Sequence, residues 1–293
     1  MSAAANTDDK PTLTLFRGWK DPGRYVWSPF VIKLEARLRF AGVKYAVDVG
    51  SPRTAPKGKV PYVECGSGSG GGDDDGKKQI GDSGIIIETL VQQGALPDLN
   101  AALSGAGRAR DLALRALLED RLYFYHVRKP IGNVEEDESD AVRMLTSPAQ
   151  MWERWIVNYY AMRDHILQAL PYPVRVVVGL IVHRGAKATL HGQGTGRYGA
   201  DEIAAFRREI WESVGELLLE ARRNSGEGKD PFWVLGGGQP SEADAALFGF
   251  IVSVLISTAA PDSQRVVKEF PVILDYAERI QDRYFPDYEK WSV

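Results

Sequence analysis

The chain has 293 residues, of which 44% are hydrophobic and 26% charged, and its formal net charge is −3. These values are ordinary for a soluble globular protein with one large domain or two average ones. The small negative charge argues against a chain built to bind nucleic acid or an anionic membrane. The single cysteine, Cys65, excludes an intramolecular disulfide and suits a reducing compartment.

Neither the N-terminal segment nor the most apolar run predicts a membrane or secreted protein. The first residues, MSAAANTDDKP, lack the apolar centre of a secretory signal. The most apolar run, VRVVVGLIV at residues 174–182, is far shorter than the roughly 20 residues that span a bilayer. We therefore expect a cytoplasmic protein without a transmembrane segment, and a disordered tail at residues 1–10.

A strand–helix–strand unit opens the part of the chain that we expect to fold. Residues 12–16 (TLTLF) and 45–49 (YAVDV) are strand-like runs. Between them, the stretch 24–42 (RYVWSPFVIKLEARLRFAG) places apolar residues three to four positions apart, which predicts a helix. A crossover helix joins parallel strands, so we expect these two strands to be parallel.

The ends of this first helix carry clear sequence signals. Ser28 suits the N-cap, Pro29 the first helical position and Gly42 the C-terminal stop. Glu35 and Arg39 are four residues apart, and we expect them to pair on the outer face of the helix.

The next segment predicts a hairpin followed by a second helix. A third strand begins near residues 60–63, and residues 66–76 (GSGSGGGDDDG) form a low-complexity loop. Residues 78–81 (KQIG) return as a fourth strand, antiparallel to the third, and residues 82–94 predict a helix that ends at Gly94.

From about residue 107 onward the pattern is helical only. We divide the chain into an α/β domain at 11–95, a linker at 96–107 and an all-helical domain at 108–293. Three predicted helices of the second domain cover residues 108–129, 203–217 and 263–283. Two more follow capping boxes: one begins after Ser147-Pro148-Ala149-Gln150, and the other is the apolar stretch after Ser241–Asp244.

Several kinds of site are not supported by the sequence. The histidines lack the spacing of a zinc site, so we expect no metal, and no GxSxG nucleophile elbow is present. The segment GQGTG at 192–196 resembles a phosphate loop but follows no strand and lacks the Lys-Ser/Thr pair, so we interpret it as a plain loop.

Three positions in the first domain remain as candidates for chemistry. The N-terminus of a helix stabilises an anion or thiolate, and Ser28 would add a hydroxyl donor; alternatively, Ser28 only caps its helix. A cis peptide at Val60-Pro61 would expose backbone groups to an extended peptide; alternatively, the proline is an ordinary trans residue that enters an edge strand. Asp82 and Ser83 could bind the ammonium and carboxylate of an amino acid, or form a simple N-cap.

Taken together, these motifs resemble the glutathione transferase superfamily, and within it the failed-axon-connections and metaxin-like branch. The resemblance runs from about residue 11 to residue 291. The stretches that carry it are WSPFVIKLEARLRFAGVKY (27–45), APKGKVPYVE (55–64), IGDSGIIIETL (80–90), GQGTGRYGADEI (192–203) and FWVLGGGQPSEADAALFGFI (232–251).

The resemblance implies a thioredoxin-like domain followed by an all-helical domain, commonly assembled as a homodimer, with glutathione as cosubstrate. It implies that Ser28 contacts the glutathione sulfur, that the backbone at Val60-Pro61 pairs with the cysteinyl part, and that Asp82 and Ser83 hold the γ-glutamyl end.

The same resemblance places a hydrophobic electrophile between the two domains. Lys59 or Lys57 is a candidate for the glycyl carboxylate of glutathione. Serine stands where such motifs often have cysteine, which excludes mixed-disulfide reductase chemistry at that position. The aromatic candidates for the electrophile pocket, each of which could equally be core, are Tyr25, Trp27, Tyr123, Tyr125 and Trp155.

Three functions follow from the resemblance. The first is a transferase that activates the glutathione thiolate for attack on a hydrophobic electrophile, with detoxification as its setting. The second is a non-catalytic, metaxin-like binding or scaffold protein that keeps the fold. The third is a pathway-specific glutathione-dependent isomerase or lyase.

Overall fold

The computed structural model describes residues 13–66 except 20 and 52, residues 78–127, residue 192, and residues 194–292 except 227 and 258–260. The predicted tail, the glycine-rich loop from residue 67 onward, and the predicted helix after Ser147, which carries Trp155, lie outside the described residues.

The first domain contains a four-stranded sheet in the order β2-β1-β3-β4. β1 is parallel to β2 and antiparallel to β3, and β3 is antiparallel to β4, so both predicted strand pairings are confirmed. The elements are β1 (Leu13–Phe16), α1 (Pro29–Phe40), β2 (Ala46–Asp48), β3 (Tyr62–Cys65), β4 (Lys78–Gly81) and α2 (Ser83–Gln92).

Three chain segments meet at one edge of this sheet. In the strand register, Phe16 at the carboxyl end of β1 lies opposite Tyr62 at the amino end of β3, and Tyr62 lies opposite Gly81 at the end of β4. The segment leading into α1, the residues just before β3 and the start of α2 therefore lie at the same edge. Antiparallel pairing thus brings together residues that are far apart in sequence.

The regular elements of the second domain are all helices in the part of the chain that the structure describes. The predicted helix at 108–129 is interrupted, because a π-helical segment (Leu117–Leu122) separates two α-helices. The predicted helix at 263–283 is in fact two helices, since Pro271 begins a new one. The helices are α3 (Gly105–Ala116), α4 (Tyr123–Val127), α5 (Ala200–Asn224), α6 (Glu242–Ile256), α7 (Pro261–Lys268) and α8 (Pro271–Tyr284).

Helix α6 occupies the middle of this domain, as its almost uniformly apolar sequence predicts. Its N-terminus has the predicted capping box, in which the Asp244 carboxylate accepts from the backbone N–H and the hydroxyl of Ser241. The same carboxylate accepts from the Val234 N–H and the Tyr276 hydroxyl, each at 2.8 Å. Asp244 therefore ties the preceding loop and α8 to the start of α6.

The prediction that Glu35 and Arg39 pair with each other on the surface of α1 is wrong. Glu35 is fully buried, its carboxylate lies 3.4 Å from Arg17 Nε, and it accepts a hydrogen bond from Tyr288 at 2.7 Å. Arg39 instead pairs with Asp287, with Nη2 and Oδ2 2.8 Å apart. The C-terminal segment covers the face of α1 that local periodicity assigns to solvent.

Within the described ranges, no single helix is both long and apolar enough to cross a membrane.

Candidate functional site

Ser28 is the N-cap of α1, as predicted. Its Oγ accepts the backbone N–H of Val31 at 3.4 Å, and Pro29 occupies the first helical position. The side chain is half-buried. Among the described residues, the structure shows no acceptor for the Ser28 hydroxyl hydrogen, so this hydrogen remains free to bond an acceptor at the positive end of the helix.

The peptide bond between Val60 and Pro61 is cis. Gly18, in the loop that leads to α1, lies close to it, because a Cβ added to Gly18 would stand 3.5 Å from Val60 Cγ2. The Pro61 carbonyl accepts the backbone N–H of Asp82 at 3.3 Å. These contacts bring two of the three candidate segments together directly and place the loop before α1 beside them.

Asp82 has a left-handed backbone with φ of 80°, which is uncommon for a residue other than glycine. Its Oδ1 accepts the backbone N–H groups of Gly84 and Ile85 at 3.0 and 3.4 Å, so it caps α2. Asp82 is exposed, while Ser83 is buried with 4% exposure. Such backbone outliers cost about 1–3 kcal/mol and concentrate at functional sites, which supports a role for Asp82 beyond capping.

The two candidate lysines are both exposed beside this edge. Lys57 lies over the strand end, since a Cβ added to Gly81 would stand 3.4 Å from Lys57 Cγ. Lys59 is one residue before Val60. Both ammonium groups belong to the loop that borders Asp82, so the choice between them stays open.

Trp27, one residue before Ser28, is half-buried and packs edge to face with Trp19, with ring centroids 6.2 Å apart. The backbone carbonyl of Trp27 accepts a hydrogen bond from Ser253 Oγ of α6 at 2.5 Å. The second domain therefore holds the residue that directly precedes Ser28.

Tyr123 lies at the start of α4 and packs edge to face against Phe30, with centroids 5.0 Å apart. Both rings are partly exposed, and burial raises the pKa of the Tyr123 phenol, which stays protonated at neutral pH. Phe30 was not among the predicted pocket residues. Its position two residues after Ser28 is the signal that could have identified it.

Two of the predicted pocket aromatics belong to the packed core instead. Tyr25 is 6% exposed, and its hydroxyl hydrogen-bonds to Gln281. Tyr125 is 5% exposed and stacks on Phe206, with centroids 5.8 Å apart. Burial removes both rings from the surface that a cosubstrate could reach, and Trp155 lies outside the described residues.

The C-terminal segment holds the loop before α1, which carries Tyr25 and Trp27. The Glu289 backbone N–H donates to the Gly23 carbonyl at 2.7 Å, and the Glu289 carboxylate lies 2.6 Å from Arg24 Nε. Arg17, buried beneath the loop, donates to the Arg24 carbonyl. The loop before α1 is thus attached to both the sheet and the end of the chain.

The chain is similar to known proteins over most of its length. Residues 29–138 match the family described as the glutathione S-transferase N-terminal domain. The chain is 23% identical over 289 residues to Failed axon connections from Drosophila melanogaster, which covers 96% of this chain. It spans only 60% of the length of that relative.

Solved structures are similar to this chain over most of its length. FzlA from C. crescentus matches with a TM-score of 0.51 and 13% identity, covering 95% of this chain and 93% of that one. A glutathione transferase family member from Pseudomonas fluorescens pf-5, solved with two glutathione molecules bound, matches with a TM-score of 0.49 and 12% identity over 95% of this chain and 92% of that one. The predicted resemblance to glutathione transferases is confirmed by the family match over residues 29–138, and the predicted order of a thioredoxin-like domain and a helical domain is confirmed by the observed elements.

Proposed function

We propose that this chain, which has the fold of the glutathione transferases, binds glutathione at the sheet edge and activates its thiol at the N-terminus of α1. The observation that carries the proposal is the hydrogen bond from Asp82 N–H to the Pro61 carbonyl. It places the start of α2 beside Val60 and Pro61, at the edge where Ser28 begins α1.

Each candidate residue has a role that suits its chemistry. The Val60 backbone would pair with the cysteinyl unit of glutathione, and Asp82 with Ser83 would hold the γ-glutamyl end. Ser28 would donate its hydroxyl hydrogen to the sulfur. Because this donor and the helix N-terminus both favour negative charge, they lower the pKa of the bound thiol. One of the two lysines, Lys57 or Lys59, would meet the glycyl carboxylate.

The thiolate would then attack an electrophilic carbon of a hydrophobic cosubstrate. With an aryl halide, a C–S bond forms and the halide leaves with its electron pair. With an enal, the sulfur bonds to the β-carbon and the electron pair moves to the carbonyl oxygen before protonation. The partly exposed rings beside Ser28 offer the cosubstrate an apolar surface; they are Trp19, Trp27, Phe30 and Tyr123.

A homodimer that acts in cytoplasmic detoxification is part of the same proposal. The dimer is tested by sedimentation velocity of the full chain, where a monomer at micromolar concentration would contradict that part alone. The role of the serine is independent of the oligomeric state, because every candidate residue named above comes from one chain.

Thermal melting of the full chain with increasing glutathione tests binding. A ligand that binds only the folded state raises the melting temperature in proportion to the logarithm of its concentration above Kd. Oxidised glutathione and free cysteine serve as comparison ligands. A flat response at millimolar glutathione would contradict the proposal and favour the non-catalytic scaffold.

Replacement of Ser28 by alanine separates activation from binding. An oxyanion-type donor is worth about 2–4 kcal/mol, so Ser28→Ala should lower turnover of a model aryl halide roughly 100-fold while glutathione affinity changes little. The ultraviolet absorbance of the bound thiolate should appear at a higher pH than in the wild type.

The matched control is Ser104→Ala. Ser104 is the N-cap of α3 and accepts the Gly107 N–H, but it lies outside the candidate site. Each substitution removes a helix cap and should cost about 1 kcal/mol of stability. Only Ser28→Ala should affect turnover, and equal rates in the two variants would remove Ser28 from the mechanism. A chain that binds glutathione but ignores general electrophiles would indicate the isomerase or lyase alternative.

A further inference from the structure

The hydroxyl of Tyr62 is bonded to a threonine in the loop that precedes β3. Tyr62 is the first residue of β3 and is 1% exposed. Its ring stacks on Phe16 of β1, with centroids 4.3 Å apart and planes 7° from parallel. Its hydroxyl oxygen lies 2.8 Å from Oγ1 of Thr54, which is exposed. This bond therefore links a fixed position in the sheet to a surface loop.

The Thr54 hydroxyl is fully used by its bonds. Its hydrogen is donated to the Ser51 carbonyl at 3.1 Å, and its oxygen accepts the Ser51 backbone N–H at 3.1 Å. When Thr54 donates to Ser51, the Tyr62 hydroxyl is the donor to Thr54 Oγ1, which has a second lone pair to accept it. The loss of either side chain's hydroxyl thus breaks the link between loop and sheet.

The chain also crosses directly over the Tyr62 ring. Gly50 has φ of 61°, and a Cβ at this position would stand 2.7 Å from both Phe16 Cβ and the Tyr62 hydroxyl oxygen. Only glycine permits this conformation and this distance. The close approach brings the loop within reach of the hydroxyl, and the hydrogen bond to Thr54 then holds it.

Thr54 directly precedes the turn that carries Lys57. This turn, Ala55–Gly58, is closed by the Gly58 N–H, which donates to the Ala55 carbonyl at 3.0 Å. Proline follows Ala55, as is common at the second position of such turns. Ala55 itself is buried, with 9% exposure. One short, closed turn therefore separates the bonded threonine from the lysine.

The base of the Lys57 side chain packs on the end of β4. A Cβ added to Gly81 would stand 3.4 Å from Lys57 Cγ and 3.5 Å from the Lys57 backbone nitrogen. Gly81 directly precedes Asp82, the candidate for the γ-glutamyl end. The Lys57 ammonium thus extends from a fixed base beside the candidate site, whereas Lys59 lies outside the turn.

We propose that Thr54 and Tyr62 are positioning residues, which hold the turn at Ala55–Gly58 so that Lys57, rather than Lys59, meets the glycyl carboxylate of glutathione. The inference rests on the proposed function and specifies how its carboxylate contact is built. Both hydroxyls act through the lysine. A turn that is already held loses less freedom when the ligand binds, so the two hydroxyls raise affinity without taking part in thiol activation.

Glutathione and its glycyl ethyl ester are the probes, measured by calorimetry on the full chain. The ester lacks the charge of the glycyl carboxylate but keeps the thiol and the γ-glutamyl end. We expect the wild type to bind the free acid about 5- to 10-fold more tightly, because an exposed charge-assisted contact is lost in the ester. Lys57→Gln should abolish this preference and bind the ester like the wild type.

Tyr62→Phe and Thr54→Val remove the same hydrogen bond from its two ends. Each should lower the preference for the free acid about 2- to 5-fold and leave ester binding unchanged. The double variant should be no weaker than the single ones, since only one bond is lost. Thr54→Ser keeps the hydroxyl and should bind like the wild type. Because Thr54 is exposed, its variants keep the test available if Tyr62→Phe does not fold.

Two further measurements separate positioning from a general structural role. In a transferase assay, Tyr62→Phe should raise KM for glutathione while kcat and the pH at which the bound thiolate appears stay at the wild-type values. Without ligand, trypsin should cut after Lys57 faster in Tyr62→Phe and Thr54→Val than in the wild type. The matched control is Tyr284→Phe, which alters a tyrosine packed on Phe40 at the opposite end of α1 and should behave like the wild type.

Several results would overturn the inference while glutathione binding itself stands. They are equal affinities of the wild type for acid and ester, loss of the preference in Lys59→Gln instead of Lys57→Gln, equal weakening of both ligands by Tyr62→Phe, and unchanged tryptic cleavage after Lys57. A wild type that binds neither glutathione nor its ester would contradict the proposed function, and the inference would fall with it.

Discussion

Glu35 is an acid in the middle of a buried helix face. Its carboxylate lies near Arg17 and accepts from the hydroxyls of Tyr288 at 2.7 Å and Tyr45 at 3.4 Å. Burial raises the pKa of Glu35 above its ordinary value of 4.5, and this outweighs the opposing effects of Arg17 and the tyrosines. The residue joins α1 to the C-terminal segment at a cost in desolvation.

This cost should appear in the pH dependence of stability. The folded state holds the Glu35 proton more tightly than the unfolded state does. The stability that the protonated Glu35 contributes is therefore complete below about pH 4.5, and it is lost as the pH rises through the pKa of the folded state. Glu35→Gln removes this dependence. We expect the free energy of unfolding of the wild type, minus that of the variant, to fall with pH by about 1.4 kcal/mol per unit of pKa shift.

Urea unfolding at several pH values between 4 and 8 measures this difference. The exposed Glu88, whose carboxylate accepts a hydrogen bond from Gln92, provides the control: Glu88→Gln should run parallel to the wild type. If the wild type gained stability relative to Glu35→Gln as pH rose, the Arg17 charge would dominate and the assigned direction would be wrong.

At the scale of elements, α1 is the helix on which both domains are built. Ile32 and Ala36 belong to the core of the helical domain. Leu34 and Leu38 belong to the core under the sheet. Since α1 is enclosed on both sides, its polar residues need buried partners as well. This explains why an interpretation based on one apolar face assigned an outer face that does not exist.

Gly249 sets the distance between α1 and α6. A Cβ at this position would stand 2.6 Å from the Pro29 carbonyl oxygen and 2.8 Å from the Lys33 nitrogen, so only glycine fits. We predict that Gly249→Ala destabilises the protein by about 1–3 kcal/mol through overpacking. It should also weaken glutathione binding, because the start of α1 must shift.

The control for this prediction is Gly105→Ala, at the start of α3, where an added Cβ meets nothing within 4 Å. That change should be neutral or stabilising by up to about 1 kcal/mol. Chemical denaturation and glutathione melting curves of both variants provide the comparison. Equal stabilities would mean that α1 and α6 can separate at no cost.

At the scale of the whole molecule, buried ion pairs join the two domains. Arg37 Nε on α1 lies 2.6 Å from Glu242 at the start of α6, and Lys33 lies 2.6 Å from Glu119. Arg37 is fully buried and also donates to the Pro97 carbonyl in the segment between the domains. Burial raises the pKa of Glu242 despite the attraction of Arg37.

Removal of one partner leaves the other buried and uncompensated. We expect Arg37→Met to cost about 3–5 kcal/mol, and the double variant with Glu242→Leu to cost less than the sum of the single changes, with a coupling energy of about 1–3 kcal/mol. Urea denaturation of the wild type, the two single variants and the double variant gives the double-mutant cycle from which the coupling energy is obtained.

An exposed ion pair with the same distance between nitrogen and oxygen serves as the reference for the buried pair. Arg24 and Glu289 are also 2.6 Å apart but 60% and 62% exposed, so their coupling should be about 0–1 kcal/mol. Similar coupling energies for the buried and exposed pairs would show that burial adds nothing. Two separate unfolding transitions would show that the domains are not one cooperative unit.

Local sequence determined the strands, the helix caps and the three segments of the candidate site. Ser28 with Pro29, the hairpin of β3 and β4, and the capping box at Ser241 each depend on neighbouring residues, so short motifs predict them. The strand pairings followed from the same local signals, because a crossover helix and a short reversal each permit one direction.

Only the tertiary structure decided which side chains are buried and which groups meet. The burial of Glu35 and Tyr25 depends on the C-terminal segment, more than 240 residues away in the chain. The break of the last predicted helix at Pro271 likewise depends on packing between distant helices. Periodicity reports one face of one helix, whereas burial is set by every element that packs against it.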